Sequence, residues 1–330
     1  MNSYDKQKYS SLLVKGNLHD AIKYLEVFSE YEEISKKYND IFKCNNELVR
    51  SENEIINELD LIYQKYYKEV FWLKRNPDEA ENRLFENLWK FCGSDRNIEK
   101  NSYIEDEVEK IVRREGYEFL GGDTAGYYGP YIWSSSIRES YDVELPSGTE
   151  KYSVIMMDGF ISRSWLDFLS FGKVGTGGWI GKDGTLCCVS SVYDIESLDF
   201  KTSFLKHEAQ HGYDKRRFTH ITSAELEYRA KLVELVYWED DKVMTKFHSE
   251  ADSSDLRNTH SIASHRIVND LSERIFDIDY ESSISRFTEN LDIVKEVAKE
   301  LLNEDTVRLS EENNTSYNTE SEQKSIQRQI

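Results

Sequence analysis

The sequence predicts an α+β protein that is mostly helical, and three observations carry that prediction. Apolar residues recur at three and four spacing from about residue 8 to 115. Glycines and alternating β-formers take over from Gly121, and helical spacing returns from Phe200 onward. In order, LLVKGNLHDAIKYLEVF, IINELDLIYQKYYKEVFWL and AENRLFENLWKFC read as helices and define an N-terminal helical region over 1–115.

The piece GNLHDAIKYLE looks like one helix of a tetratricopeptide repeat, but no second copy occurs at the required period, so a repeat array is not supported. FLGGDTAGYYGPYIW then concentrates glycine, and YDVELPSGTEKYSVIMMDGF clusters β-formers around a Pro-Ser-Gly turn, which together predict a small sheet. SRSWLDFLSFG carries a serine N-cap candidate and helical spacing. GTGGWIGKDGTLCCVSSVYD reads as a hairpin turning at Lys182, Asp183 and Gly184. Helices follow in FLKHEAQHGYD, SAELEYRAKLVELVYW, ASHRIVNDLSERIF and ISRFTENLDIVKEVAKELL. From about Glu304 the apolar periodicity fades, so 304–330 is expected to be a disordered tail, leaving 116–303 as the second domain.

A chain of 330 residues can bury a core without disulfides or structural metals, so a metal site here would serve chemistry more readily than folding. The formal charge of −20 argues against nucleic acid or an anionic membrane as partner, since both are held by Lys and Arg. No stretch approaches the ~20 apolar residues of a membrane span, and MNSYDKQKYS lacks an apolar targeting core. The expected location is the cytoplasm. Cys44, Cys92, Cys187 and Cys188 show no C-x-x-C spacing and are expected to be reduced thiols.

Within FLKHEAQHGYD, the residues His207-Glu208-Ala209-Gln210-His211 form H-E-x-x-H. Residues four apart share a helix face, so His207 and His211 can present two imidazoles to one metal, with Glu208 about 100° away around the helix. A catalytic zinc takes three protein ligands and leaves a position for water, whose proton the adjacent glutamate can accept. A shuffled chain of this composition would hold the pentapeptide on the order of once or twice per hundred trials. Context therefore has to carry the assignment, and the motif does fall on a helix directly after a strand pair.

Two glutamates on the next helix compete as third ligand. Glu225 belongs to a capping box with Thr222, which is a sufficient structural role. Glu227 lies one turn inside with no such duty and is preferred. H-E-x-x-H followed by a glutamate on the next helix resembles the gluzincin branch of zinc metallopeptidases, the thermolysin-like architecture, and Glu227-Tyr228-Arg229-Ala230 is similar to the E-x-x-A segment of several of its families. The likeness covers roughly residues 150–240.

The resemblance implies a small zincin-like sheet packed on the active-site helix, Zn2+ held by His207, His211 and Glu227, and Glu208 as general base and acid. It also implies that the strand within GGWIGKDGTLCCV pairs with an extended substrate peptide. One departure stands out: many gluzincins place an aspartate four residues after the glutamate ligand to orient a histidine, and this chain has Lys231 there. Asp214, one turn beyond His211, is the candidate replacement.

Zincins commonly add a histidine, tyrosine or arginine to stabilise the oxyanion. NTHSIASHRIV offers His260 first and His265 second, with Tyr213 and Tyr228 as weaker candidates. A deformylase-like site using Cys187 or Cys188 is disfavoured, because H-E-x-x-H is the only feature in common. The glycine run 121–129 lacks G-x-x-x-x-G-K-[ST] and is not a phosphate loop. The expected function is zinc-dependent hydrolysis of peptide bonds in a peptide or protein substrate. The alternatives are a non-catalytic helical interaction protein retaining this core, or an amide hydrolase acting on a small molecule. Oligomeric state is not set by the sequence.

Overall fold

A computed structural model describes residues 6–94, 103–181, 183–254 and 258–327, with side chains from 8 to 313. The protein is α+β and mostly helical, with a five-stranded sheet of order β1-β4-β5-β7-β6. Its strands are β1 Glu118–Leu120, β4 Tyr131–Leu145, β5 Gly148–Arg163, β6 Gly178–Ile180 and β7 Leu186–Val189. A separate two-stranded ribbon pairs β2 Asp123–Thr124 with β3 Tyr127–Tyr128. Among the described residues no helix is long and apolar enough to cross a membrane.

The chain forms two compact units, residues 1–136 with 157–176 and residues 137–156 with 177–330, so the long β4–β5 hairpin contributes its base to the first and its tip to the second. This differs from the expected division at 115/116. The reason is packing: Phe119 and Ile132 from the strands, and Trp165, Phe168 and Leu169 from the helix after β5, are buried in the same core as the N-terminal helices.

The first unit holds α1 Lys6–Val14, α2 Leu18–Glu26, α3 Glu32–Tyr38, α4 Glu54–Tyr67, α5 Pro77–Phe91, α6 Ile104–Arg114 and α7 Ser164–Ser170. Asn53 and Asn76 cap α4 and α5 through their side chains, and Pro77 starts α5 where a missing N–H costs nothing. Its core is rich in aromatic rings: Trp165 stacks on Phe71 at 4.8 Å, and Tyr38 accepts from Tyr9 while donating to the Leu169 carbonyl. Arg50 bridges Asp60 and Asp167, which satisfies two buried carboxylates. The serine expected to cap α7 does not do so. Arg163 occupies the cap position, while Ser164 sits at φ 66 with its hydroxyl unbonded.

The second unit holds the hairpin tip, β6, β7, a π-helical segment Asp199–Lys206 that runs directly into α8 His207–Arg217, and α9 Ser223–Tyr237, α10 Lys242–Glu250, α11 Thr259–Phe276, α12 Ile284–Thr288 and α13 Leu291–Gln327. The β6–β7 hairpin pairs Trp179 with Cys187 in antiparallel register. Its turn is closed by Asp183 accepting from Thr185; the expected turn residue Lys182 lies outside the described residues. Helix α9 packs against α8, α11 and α13, and Leu226 and every residue from Tyr228 to Leu235 is buried on it. A helix covered on all sides ordinarily reads as apolar throughout. This one nevertheless buries Arg229, Lys231 and Glu234 at 1–2% exposure, so each charge requires a partner.

Some of those partners lie at the start of the segment expected to be a disordered tail. Arg229 donates to Asp214 on α8 at 2.9 and 3.0 Å and to Asp305 on α13 at 3.1 Å. Arg266 and Arg308 also donate to Asp305, and Arg308 reaches Glu225. Leu301, Leu302 and Leu309 are buried beside them. Helix α13 therefore continues through 304 to Gln327, held at Asp305 and Arg308 by charge pairs where apolar periodicity fades. Residues 328–330 lie outside the described residues.

The arginines around Asp305 hold its carboxyl below the ordinary value of 3.8, although burial alone would raise it. A depressed folded-state value stabilises the fold above pH 3.8, and that contribution is lost as the pH falls through the folded-state value. Asp305→Asn is accordingly expected to cost about 1.5–3 kcal/mol at pH 7. Urea unfolding of parent and variant should show the gap at pH 7 closing as the pH is lowered past 3.8.

Candidate metal centre

The segment before α8 is anchored by Phe200, Phe204 and Leu205, all buried, and the ring of Phe200 stacks on Phe204 at 5.5 Å. Strand β5 fixes the helix from the other side, where Tyr152 donates to the Ala209 carbonyl at 2.8 Å. Gly212 allows the close fit: a Cβ there would meet Ile180 of β6 at 2.9 Å and the Tyr152 ring at 3.0 Å. The glycine that follows the second histidine thus brings β6, the outer strand of the sheet, against the H-E-x-x-H helix.

On this helix the rings of His207 and His211 meet edge-on with centroids 4.6 Å apart. Glu227, from the second turn of α9, lays its carboxylate across both. Its Oε2 is 3.4 Å from Nε2 of His207, and its Oε1 is 3.4 Å from Nε2 of His211. The other ring nitrogen of His207, Nδ1, lies 2.7 Å from Oε1 of Glu234, and Ser203 donates to Oε2 of the same carboxylate.

Charge follows from these contacts. Burial would raise the Glu227 carboxyl, but His207, His211 and His260 outweigh it and hold the group well below the usual carboxylate range. Burial also opposes charge on His207, and there Glu227 and Glu234 push the imidazole up to about 10. Glu234 is held ionised by His207 against its own burial.

An ionised carboxylate only accepts hydrogen bonds, so Nδ1 of His207 carries the proton given to Glu234. With its value raised in this way, His207 also carries a proton on Nε2 facing the Glu227 carboxylate, and a metal cation held between the two would take that proton's place. The spacing fits a metal. Two ligand atoms each about 2.0–2.1 Å from a tetrahedral zinc lie about 3.3–3.4 Å apart, longer than an ordinary hydrogen bond. In addition, Nδ1 of His211 and Oε2 of Glu227 are buried without hydrogen-bond geometry to any neighbour. Two imidazoles and one carboxylate are a donor set suited to zinc.

Glu208 is a second carboxylate in reach: His207, Glu208 and His211 offer ligand atoms within 4.8 Å of one another. The two glutamates differ in environment. Both are half-buried, but Glu227 lies against both Nε2 atoms, whereas Glu208 makes no ion pair with a described residue. That leaves Glu227 as the better ligand and Glu208 the better placed to handle protons. His260, on the first turn of α11 and 60% exposed, brings Nδ1 to 2.9 Å from Oε2 of Glu227.

The remaining candidates lie in other contacts. Glu225 caps α9 with Thr222 and accepts from Arg308. Asp214, the expected support for a histidine, instead accepts from Gln210 and Arg229, because the buried guanidinium is the stronger claim on it. His265 stacks on Tyr280, Tyr228 donates to Asp270, and Tyr213 accepts from Arg217. Cys188 is a core residue, and among the described residues the cluster that could hold a metal ion, His207, Glu208 and His211, includes no cysteine. Sequence reasoning missed Glu234 and Ser203. The available signal was spacing: Glu234 falls seven residues after Glu227, two turns along the same helix face, inside the otherwise apolar LVELVYW.

Comparison with known family models, curated proteins and solved structures finds no match to this chain.

The position of β6 beside this helix depends on Gly178, where a Cβ would come within 2.3 Å of the Phe204 ring and 2.5 Å of the Cys187 carbonyl oxygen. Neither a buried ring nor a strand carbonyl yields cheaply. Gly178→Ala is expected to cost about 1–3 kcal/mol of stability, measurable as a lowered thermal unfolding midpoint against the parent.

Proposed function

We propose that the chain is a zinc-dependent metallopeptidase with a zincin-like active site, in which His207, His211 and Glu227 hold the metal. The observation that carries this reading is the Glu227 carboxylate lying 3.4 Å from Nε2 of both histidines of an H-E-x-x-H helix. Bound zinc would supply Lewis-acid polarisation of a carbonyl and a water acidified toward neutral pH.

The chain's own residues account for the other requirements of amide hydrolysis. Glu208 is half-buried next to His207 and makes no hydrogen bond with any described residue. It takes the proton of the attacking water and returns it to the leaving amine. His260 is exposed at the rim of the site and offers a donor to negative charge developing on the scissile carbonyl oxygen. Strand β6 lies at the outer edge of the sheet and against α8. An extended peptide added along that edge would have its backbone aligned by strand hydrogen bonds. A peptide or protein is therefore the favoured substrate over a compact small molecule.

Metal content and peptide hydrolysis test this together. The parent is expected to carry about one zinc per chain, and both His207→Ala and Glu227→Gln to lose it. Glu208→Gln is expected to keep the metal while losing activity by about 10²–10⁴-fold against a peptide library. A parent that takes up no metal when zinc is supplied would sink the reading, as would undiminished hydrolysis by Glu208→Gln.

A further inference from the structure

The gluzincin pattern orients one metal-binding histidine with an aspartate four residues after the glutamate ligand, and this chain has Lys231 at that position. The structure shows where a carboxylate has gone instead. Positions 231 and 234 follow Glu227 by four and seven residues, so both lie on its face of α9, the second one turn further along. Glu234 has one methylene more than an aspartate, and its Oε1 reaches Nδ1 of His207 at 2.7 Å. Its other oxygen accepts from Ser203, which sits one turn before His207 in the π-helical segment leading into α8. The carboxylate is thus gripped from two points of the element that carries the histidine, at 2% exposure.

We propose that Glu234, clamped by Ser203, is the positioning residue for His207, fixing the proton on Nδ1 and turning Nε2 toward the metal position. Lys231 has a complementary part. Its ammonium is buried, donates to Glu250 at 3.0 Å and lies over the Phe247 ring at 4.1 Å, within the same helix turn as Glu234. Together with Lys246 it favours the ionised form of that carboxylate. The departure from the family pattern is therefore a relocation: the carboxylate moves one turn along α9, and a lysine takes the vacated position as an electrostatic support. A π-helical lead-in suits this arrangement, since insertions of that kind re-aim side chains near functional sites.

This inference rests on the metal-site reading, and its test separates the two. Zinc affinity would be measured by competition with a chromophoric chelator for the parent, Glu234→Gln, Glu234→Ala and Ser203→Ala. Imidazole ¹⁵N spectra of the zinc-free proteins would be recorded in parallel. Removal of an outer hydrogen-bond partner of a ligating histidine is expected to weaken zinc binding by about 10- to 100-fold. Glu234→Ala should show that loss. Glu234→Gln, which retains an acceptor of the same size, should lose less, and Ser203→Ala should fall between Glu234→Gln and the parent.

In the zinc-free spectra the His207 Nδ1 proton should be well defined in the parent and lost or shifted in Glu234→Ala. A folded Glu234→Ala protein with parental zinc affinity and an unmoved His207 Nδ1 resonance would overturn the proposal. If the parent itself binds no zinc, the metallopeptidase reading falls. The ¹⁵N comparison then still decides whether Glu234 positions His207. If Glu234→Ala does not fold, the nearly isosteric Glu234→Gln carries the same comparison, with unchanged affinity and an unchanged resonance counting against the assignment.

Discussion

The second unit depends on one constraint: α9 is covered by other helices yet carries ionised side chains in its interior. Arg229, Lys231 and Glu234 are almost fully buried, and the Glu227 side chain is 14% exposed. An unpaired charge in such a place costs several kcal/mol, enough to remove much of the stability of an ordinary domain. Each charge therefore dictates the position of a neighbour. Arg229 requires Asp214 of α8 and Asp305 of α13, Lys231 requires Glu250 of α10, and Glu227 and Glu234 require the two histidines of α8. The candidate site and the helix packing are consequences of the same set of pairs.

This coupling gives the site its rigidity. His207 is held from behind by a carboxylate that is itself held by Ser203, and the helix bearing both histidines is tied to β5 through Tyr152. In the proposed metal centre, side chains held in this way would lose little freedom on binding. Three carboxylates lie close to the two imidazoles, each in a different environment. Glu234 is bonded on both oxygens, Glu227 faces both histidines at 3.4 Å, and Glu208 stays partly open to solvent. Separation of roles by environment among chemically identical groups is a common route to acid–base chemistry at neutral pH.

The first unit solves its packing problem by different means. Its core includes the Tyr9–Tyr38–Leu169 hydrogen-bond chain and Arg50 shared between two aspartates. Aromatic residues bury large areas while retaining a polar handle, so a unit built from short helices can still be well specified.

By itself, the sequence determined what depends on local pattern. Three and four spacing marked the helices of both units, glycine and β-former clusters marked the strands, and Thr222 with Glu225 marked the start of α9. The spacing of His207, Glu208 and His211 was enough to put a pair of imidazoles on one face of a helix. Only the tertiary structure decided which distant groups meet them. Asp214 and Glu234 were equally available as carboxylates in the sequence; burial of Arg229 beside Asp214 removed one, and the two-turn offset of Glu234 along α9 delivered the other to His207. The same holds for residues 304–313, where the apolar signal fades but Asp305 and Arg308 lock the helix through partners 39 to 83 residues away. Periodicity reports how a segment will coil and which face it will bury. It carries no record of which buried charge will find which partner, because that depends on distances set only when the helices pack.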